Sequence, residues 1–159
     1  MRKTLEVIGI ALLALLAWIT WSALNGPNPL PQRIPTHFNA SGEAEAWGSP
    51  STLWLLPIVA AIVFLLISVV ALFPRSFNLP VRATAVNRPR LEALTIQMMA
   101  WVKVELAGLF LYIQWSIIQS VQKGHVALSP LIVPIFLVVV FGTIAAYSVA
   151  VFRAAGSRA

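Results

Sequence analysis

The chain has no cysteine and no aspartate, and only 10% of its 159 residues are charged. Without cysteine, disulfide bonds and thiol chemistry are excluded, and every side-chain carboxylate must come from one of five glutamates. A soluble domain has roughly 25% charged residues. This chain is 59% hydrophobic, so it cannot cover a globular surface with polar groups. We therefore predict a single integral membrane domain over residues 1–159.

Four apolar segments are long enough to span a bilayer, at about 5–24, 53–73, 100–121 and 128–152. About 20 helical residues at 1.5 Å each cover roughly 30 Å of hydrocarbon, and helices satisfy their backbone groups internally. The first segment is longer than the roughly 7–15 apolar residues of a signal peptide, so we expect it to be retained. The prediction is an all-α, four-helix membrane bundle with a proline-rich loop over 25–52 and a second loop over 74–95.

Basic residues are distributed unevenly between the two ends of this bundle. Eight of them belong to the termini and the 74–95 loop, whereas the other end has only Arg33 and Lys123. Lys and Arg favour the cytoplasmic side, so both termini and the 74–95 loop are predicted to be cytoplasmic. The loop around His37 and the short loop over 122–129 are then extracytoplasmic. The net charge of +6 is attributed to anionic lipid, and no nucleic-acid partner is expected.

Charged residues within the predicted spans need partners or an exit to the interface. Lys103 and Glu105 are two positions apart and point to nearly opposite helix faces. We predict that Lys103 snorkels to the headgroups and that Glu6 pairs with the basic residues one turn before it. A polar stripe should instead face the bundle interior, and it consists of Trp101, Glu105, Gly108, Tyr112, Ser116 and Gln119.

Two interpretations of Glu105 stay open at this point. It is either an ion-pair partner for an arginine near the cytoplasmic boundary, or part of a proton- or cation-responsive site with Tyr112 and Gln119. In the fourth span, small residues recur at Gly142, Ala146 and Ala150. Small residues at that spacing let helix backbones approach closely. We expect them to pack inside the bundle, with a dimer face as the alternative.

The loop over 34–49 is the main candidate for chemistry outside the bilayer, because it contains His37, Glu43 and Glu45. With His125 of the other outer loop, these residue types suit zinc, but their spacing matches no helix-borne zinc motif. We therefore predict no metal and no cofactor. The favoured interpretation is a compact cap, with Phe38 and Trp47 in the interface and with His37 and Asn39 hydrogen-bonded to the turn backbone. Partner recognition and pH sensing by imidazole are the alternatives.

Several residues at fixed spacing in this loop resemble the sequence motif of a known family. The carrying residues are Leu30-Pro31, Ile34-Pro35-Thr36-His37-Phe38-Asn39, Gly42-Glu43 and Trp47-Gly48-Ser49, with a second motif at Phe77-Asn78-Leu79-Pro80-Val81. They resemble the bacterial membrane family catalogued as domain of unknown function 1648, which also forms the N-terminal module of SdpI-like immunity proteins. The family commonly has aspartate where Glu45 stands and lysine where Pro50 stands.

The resemblance implies a multi-pass protein of the bacterial cytoplasmic (inner) membrane, without an established catalytic residue. Its implied binding residues are Pro35, His37, Asn39, Gly42, Glu43 and Trp47 in the outer loop, and Asn78 and Pro80 in the cytoplasmic motif. Immunity against a toxin, or signalling, is the function that it implies.

Three classes of function follow. The first is a non-enzymatic membrane protein whose outer loop recognises a peptide, an envelope component or a membrane partner. The second is a small transporter or ion-coupled carrier that works as a homo-oligomer through Glu105. Four spans are few for a carrier, however, and no repeat and no helix break in the middle of spans one to three is visible. A membrane enzyme is third, because the chain lacks aspartate, cysteine and a paired catalytic set.

Overall fold

The computed structural model describes residues 1–28, 30–123 and 129–156. Its elements are α1 (Arg2–Asn25), β1 (Ile34–Phe38), β2 (Ala44–Gly48), a 3-10 turn (Pro50–Trp54) leading into α2 (Leu55–Val70), a 3-10 turn (Pro74–Ser76), α3 (Arg88–Lys123) and α4 (Ile132–Gly156). Among these described residues, four helical stretches are long and apolar enough to cross a membrane. The prediction of a mostly helical, multi-pass membrane protein is thereby confirmed.

Helix α3 begins earlier than predicted, so residues 88–95, expected to be a loop, are helical. Local capping explains this start. The backbone N–H of Thr84 donates to Asn87 Oδ1 at 2.7 Å, and the N–H of Asn87 donates to Thr84 Oγ1 at 3.3 Å. Pro89 is then the second helical residue, where a missing N–H interrupts no helical hydrogen bond. Helix α3 therefore continues well beyond the predicted span.

Two other boundaries also differ from the prediction. Helix α2 ends at Val70 rather than near 73, because Pro74 starts a separate 3-10 turn. Helix α4 starts at Ile132 rather than 128, and residues 124–128 lie outside the described part of the chain. The outer loop, predicted to be a compact, proline-rich cap, contains an antiparallel hairpin of β1 and β2. Its two strands have only five residues each, too few to show a clear alternation in sequence.

Helix α3 is the centre of the bundle, since α1, α2 and α4 all pack against it. An apolar cluster at the hairpin end includes the buried residues Ala23, Ile34, Leu53, Ile117 and Ile118. A second cluster at the opposite end joins Leu91 of α3 to Val151 and Ala154 of α4. Many large apolar side chains are exposed on the outer surfaces of the helices, as expected for helices that face hydrocarbon.

The face of α3 that is buried is not the predicted one. Its buried residues are Leu91, Ala100, Lys103, Ala107, Gln114, Ile117 and Ile118, whereas the predicted polar stripe is half-buried along its length. The expected internal packing of the small residues in α4 is also wrong at Gly142 and Ala146, which are exposed. A Cβ added at Gly142 would meet nothing within 4 Å, so this glycine allows no close helix approach within the described structure.

Candidate functional site

The hairpin lies on the end of the bundle and is fixed by its first two residues. Ile34 and Pro35 are buried, and Ile34 belongs to the apolar cluster with Ala23 and Leu53. Their register partners are Gly48 and Trp47, and the register then shifts on both sides of His37. Arg33 adds a contact from its guanidinium Nη2 to the carbonyl oxygen of Trp47, at 3.4 Å. The hairpin is thus anchored at its base, and its irregular part begins at His37.

Asn39 organises the turn between the two strands. Its Oδ1 accepts hydrogen bonds from the backbone N–H groups of Ser41 and Glu43, both at 2.9 Å. Its side-chain Nδ2 donates to Glu43 Oε2 at 3.2 Å. Gly42 donates its N–H to the Asn39 carbonyl at 2.9 Å and has a φ of +82°, a conformation that favours glycine. The prediction that Asn39 hydrogen-bonds the turn backbone is confirmed, and the turn gives Gly42 and Glu43 structural roles as well.

His37 has a different setting from the one predicted. Its Nε2 lies 3.8 Å from Glu45 Oε2, and the two side chains are 71% and 54% exposed. Trp47 is also 46% exposed. Within residues 1–28, 30–123 and 129–156, no group of three or more His, Cys, Asp or Glu side chains could hold a metal ion. His125, the remaining predicted ligand, lies outside the described residues. The imidazole is therefore available to solvent or to a partner.

A groove of about 580 Å³ separates the hairpin from α4. Its rim comes from the hairpin, including His37 and Asn39, and its floor and far wall come from α2, α3 and α4. The lining residues are Thr36, His37, Phe38, Asn39, Ala40, Gly42, Leu56, Ile113, Ile117, Ser129, Pro130, Ile132, Val133 and Pro134. The groove thus has a polar rim above a mainly aliphatic floor, which is the usual composition of a binding cleft.

Beneath the hairpin, Gln114 joins three parts of the bundle. Its side chain is fully buried, and its Nε2 donates to Thr20 Oγ1 of α1 at 2.8 Å and to the Leu53 carbonyl at 3.0 Å. Thr20 in turn donates to the Leu16 carbonyl at 2.8 Å. Buried polar groups with such partners hold their elements in one arrangement. Gln114 therefore fixes α1 and the 3-10 turn that precedes α2 relative to α3, next to the groove.

Nearer the opposite end, Lys103 is the centre of a polar cluster between three helices. Its ammonium lies 2.6 and 2.8 Å from the two carboxylate oxygens of Glu6 in α1, and 2.9 Å from Ser68 Oγ in α2. The Phe64 ring covers it, with 4.4 Å between Nζ and the ring centroid. The predicted snorkelling of Lys103 is wrong, and so is the pairing of Glu6 with its neighbours, because the two charges neutralise each other inside the bundle.

Glu105 lies toward α4 rather than toward the arginines of the N-terminus and the 74–95 loop. Thr143 Oγ1 donates to Glu105 Oε1 at 2.5 Å, so the predicted ion pair with an arginine is wrong. Its other oxygen, Oε2, is buried and has no hydrogen-bond partner among the described residues. Tyr112 packs against Trp115, and Gln119 is half-buried. No described hydrogen bond joins these two side chains to Glu105, so the predicted three-residue site is not assembled in this structure.

Comparison with known proteins shows that the segment containing the hairpin matches a known family. Residues 9–61 match the family described as Domain of unknown function (DUF1648). This match spans most of α1, the hairpin and the start of α2, so the resemblance based on the loop motif is confirmed. An uncharacterised protein of the archaeon Archaeoglobus fulgidus is 28% identical over 148 residues, which cover 84% of this chain and 78% of that protein. No solved structure matches.

The second motif lies outside the DUF1648 match, at the opposite end of the bundle. Residues 77–80 line a cavity of about 180 Å³ together with Thr95, Met98, Tyr147, Ser148 and Val151. Leu79 and Val81 pack against the apolar cluster around Leu91. Asn78 and Pro80, predicted as a cytoplasmic motif, thus line a cavity together with residues of α3 and α4, the two helices that also line the groove.

Sequence reasoning missed the helical residues that complete these sites. Lys103 and Glu6 are 97 positions apart, and Thr143 is one of three hydroxyl-bearing residues in a largely apolar helix. The Lys103–Glu6 pair could have been predicted from the rule that charged residues within a span need a partner. Applied to Lys103 and Glu6, this rule favours an ion pair between α3 and α1. The groove residues of α3 and α4 are ordinary aliphatic side chains and gave no signal.

Proposed function

We propose that this protein is a non-enzymatic membrane protein that recognises an apolar segment of a peptide or membrane partner in the groove beside its hairpin. The observation that supports this most directly is the composition of the groove. Thr36, His37 and Asn39 form a polar rim, and Ile113 and Ile117 lie in an aliphatic floor. Such a cleft suits a side-chain cluster from an amphipathic segment, because its apolar part is buried while its polar part meets the rim.

The volume and position of the groove agree with this function. At about 580 Å³ it lies within the roughly 300–1,000 Å³ typical of ligand clefts. The hairpin is held in place by the Asn39 turn and by buried Ile34 and Pro35. A rim that is already ordered loses little conformational entropy on binding. Immunity or signalling of the SdpI-like kind is the version of this function that the family resemblance favours.

Site-specific photo-crosslinking tests the proposal, because the chain has no cysteine of its own. A single cysteine at Thr36, on the groove rim, is labelled with a short photoreactive group in native membranes. The matched control is Ala46, which is exposed on the same hairpin but does not line the groove. We expect a discrete peptide or protein adduct from position 36 only, lost when Ile113→Trp fills the groove.

Two results would reject recognition in the groove. One is the same set of crosslinked products from positions 36 and 46, since this would show that the crosslinked molecules are merely close to the hairpin and do not bind in the groove. The other is an adduct that survives Ile113→Trp in a variant with an unchanged unfolding temperature. Labelling of lipid alone at position 36 also counts against a peptide or protein partner.

A small carrier that works through Glu105 is the second candidate function. The observation that favours it is the buried Glu105 Oε2, which has no hydrogen-bond partner among the described residues. An intramembrane carboxyl group with spare acceptor capacity is typical of ion and proton paths. Under the carrier hypothesis, Glu105→Gln should abolish the phenotype of cells that depend on this protein. Recognition in the groove predicts instead that His37→Ala or Asn39→Ala is harmful while Glu105→Gln is tolerated.

A further inference from the structure

The groove beside the hairpin and the cavity beside residues 77–80 are both lined by α3 and α4. At the hairpin end, Ile113 and Ile117 of α3 face Ile132 and Val133 of α4 across the groove. At the opposite end, the cavity beside residues 77–80 is bounded by the same two helices. At 1.5 Å per residue, these sites are separated by roughly 27 Å along α3. Any change in the spacing of α3 and α4 therefore alters a wall of the groove.

Helix α4 is held more firmly at one end than at the other. Its buried residues are Val151 and Ala154, which pack against Leu91 near the start of α3. Residues 132–150 are half-buried or exposed. Only 6% of the residues in the most apolar stretch of α4 are buried, compared with 17–22% in the other three spans. Elements with few buried contacts are those that move most easily.

Between these two ends, a hydrogen bond from Thr143 of α4 to Glu105 of α3 joins the helices. Thr143 Oγ1 donates to Glu105 Oε1 at 2.5 Å, and the second carboxyl oxygen, Oε2, is buried without a hydrogen-bond partner among the described residues. The bond lies between the anchor at Val151 and the groove wall at Ile132. It therefore restrains the loosely packed half of α4 without contributing to the anchored half.

The geometry points to the hairpin-end half of α4 as a movable wall of the groove, hinged near Val151 and Ala154 and held closed by the Thr143–Glu105 bond. This inference rests on the proposed function of the groove. The arm from Val151 to Ile132 is about 28 Å long, so a rotation of about 5° moves the groove wall by about 2–3 Å. A shift of this size admits or clamps a side chain, and helix displacements of this scale are common in switching proteins.

Double electron–electron resonance on the purified protein measures the movement without any ligand. Spin-labelled cysteines at Ala46 and Ile135 report the distance between the hairpin and α4, and labels at Val86 and Phe152 report a distance at the anchored end. All four positions are exposed and can carry a label. We expect Thr143→Val to lengthen and broaden the first distance distribution and to leave the second unchanged. Thr143→Ser, which keeps the hydroxyl, should match the wild type. Ser68→Ala removes a hydroxyl that contacts Lys103 instead and should also leave both distances unchanged.

The inference is wrong if Thr143→Val alters neither distance, or if it broadens both equally, since the latter is general loosening. A second measurement needs no variant. In the wild type, the distance distribution between labels at Ala46 and Ile135 should be broader than that between labels at Val86 and Phe152. The reverse order rejects a hinge at Val151. The result is separable from the proposed function. A fixed α4 together with a specific adduct from position 36 rejects only the movable wall. A moving α4 without any adduct rejects only recognition in the groove.

Discussion

The ammonium of Lys103 lies 2.6 Å from a Glu6 carboxylate oxygen, and this ion pair joins α3 to α1 within the bundle. All three donors of the ammonium are used, by the two Glu6 oxygens and by Ser68 Oγ. The exposure of the two partners is unequal, because the Lys103 side chain is 2% exposed and that of Glu6 is 29% exposed. Removing one charge should therefore not be equivalent to removing the other.

Glu6→Gln should destabilise the protein more than Lys103→Met does. The first change leaves a buried ammonium without a counter-charge, which typically costs about 3–5 kcal/mol. The second leaves a carboxylate that is partly exposed, so the loss should be smaller. The measurement is the free energy of unfolding in detergent micelles. The matched control is Glu92→Gln, which breaks the ion pair with Arg88; the cation left behind there is 40% exposed, so the loss should be less than about 1 kcal/mol. Equal losses for Glu6→Gln and Lys103→Met would contradict the asymmetry.

Gly9 should tolerate no larger side chain, because it allows the Phe64 ring to lie close to α1. A Cβ at this position would be 2.5 Å from Phe64 Cε2, and the ring is in turn stacked on the Lys103 ammonium. Gly9→Ala should displace the ring and cost about 1–3 kcal/mol of unfolding free energy. Gly108→Ala is the control, since a Cβ there meets nothing within 4 Å.

A double-mutant cycle identifies Phe64 as the cause of that loss. If the clash with the ring is responsible, Gly9→Ala should cost much less in a Phe64→Leu background, because the smaller side chain leaves room for the methyl group. Additive losses would place the cause elsewhere. A Gly108→Ala variant as unstable as Gly9→Ala would mean that helical glycines are sensitive in general, and the close approach would lose its support.

The helices could be predicted from the sequence, whereas the contacts between them could not. Long apolar runs in 5–24 and 53–73 are decisive because about 20 such residues have few alternatives to a membrane helix. The rotation of each helix is a different matter, since nearly every face of these helices is apolar. The buried face of α3 was consequently misassigned, and the partner of Lys103 was missed. The Asn39 turn was recognisable because asparagine followed by glycine three residues later is typical of a tight turn.

The Asn39 turn should depend on two different properties of its residues. Asn39→Ala removes the acceptor for the N–H groups of Ser41 and Glu43, and Gly42→Ala forces a left-handed conformation that costs about 1–2 kcal/mol for other residues. Both should accelerate amide hydrogen exchange at Ser41 and Glu43 in NMR spectra. His37→Ala should leave these amides unchanged, because its side chain is 71% exposed. Unchanged exchange in Asn39→Ala would show that the turn does not need the side chain.

The hairpin end should face the outside of the cell. Among the described residues, the opposite end contains seven Lys and Arg residues of the termini and the 74–95 loop, and basic residues favour the cytoplasmic side. Because the chain has no cysteine, a single cysteine reports its own location. In intact cells, Ser41→Cys should react with a membrane-impermeant maleimide, and Val86→Cys, which is 69% exposed in the wild type, should react only after the cells are permeabilised. Reaction of Val86→Cys alone in intact cells would invert the orientation and place the groove in the cytoplasm.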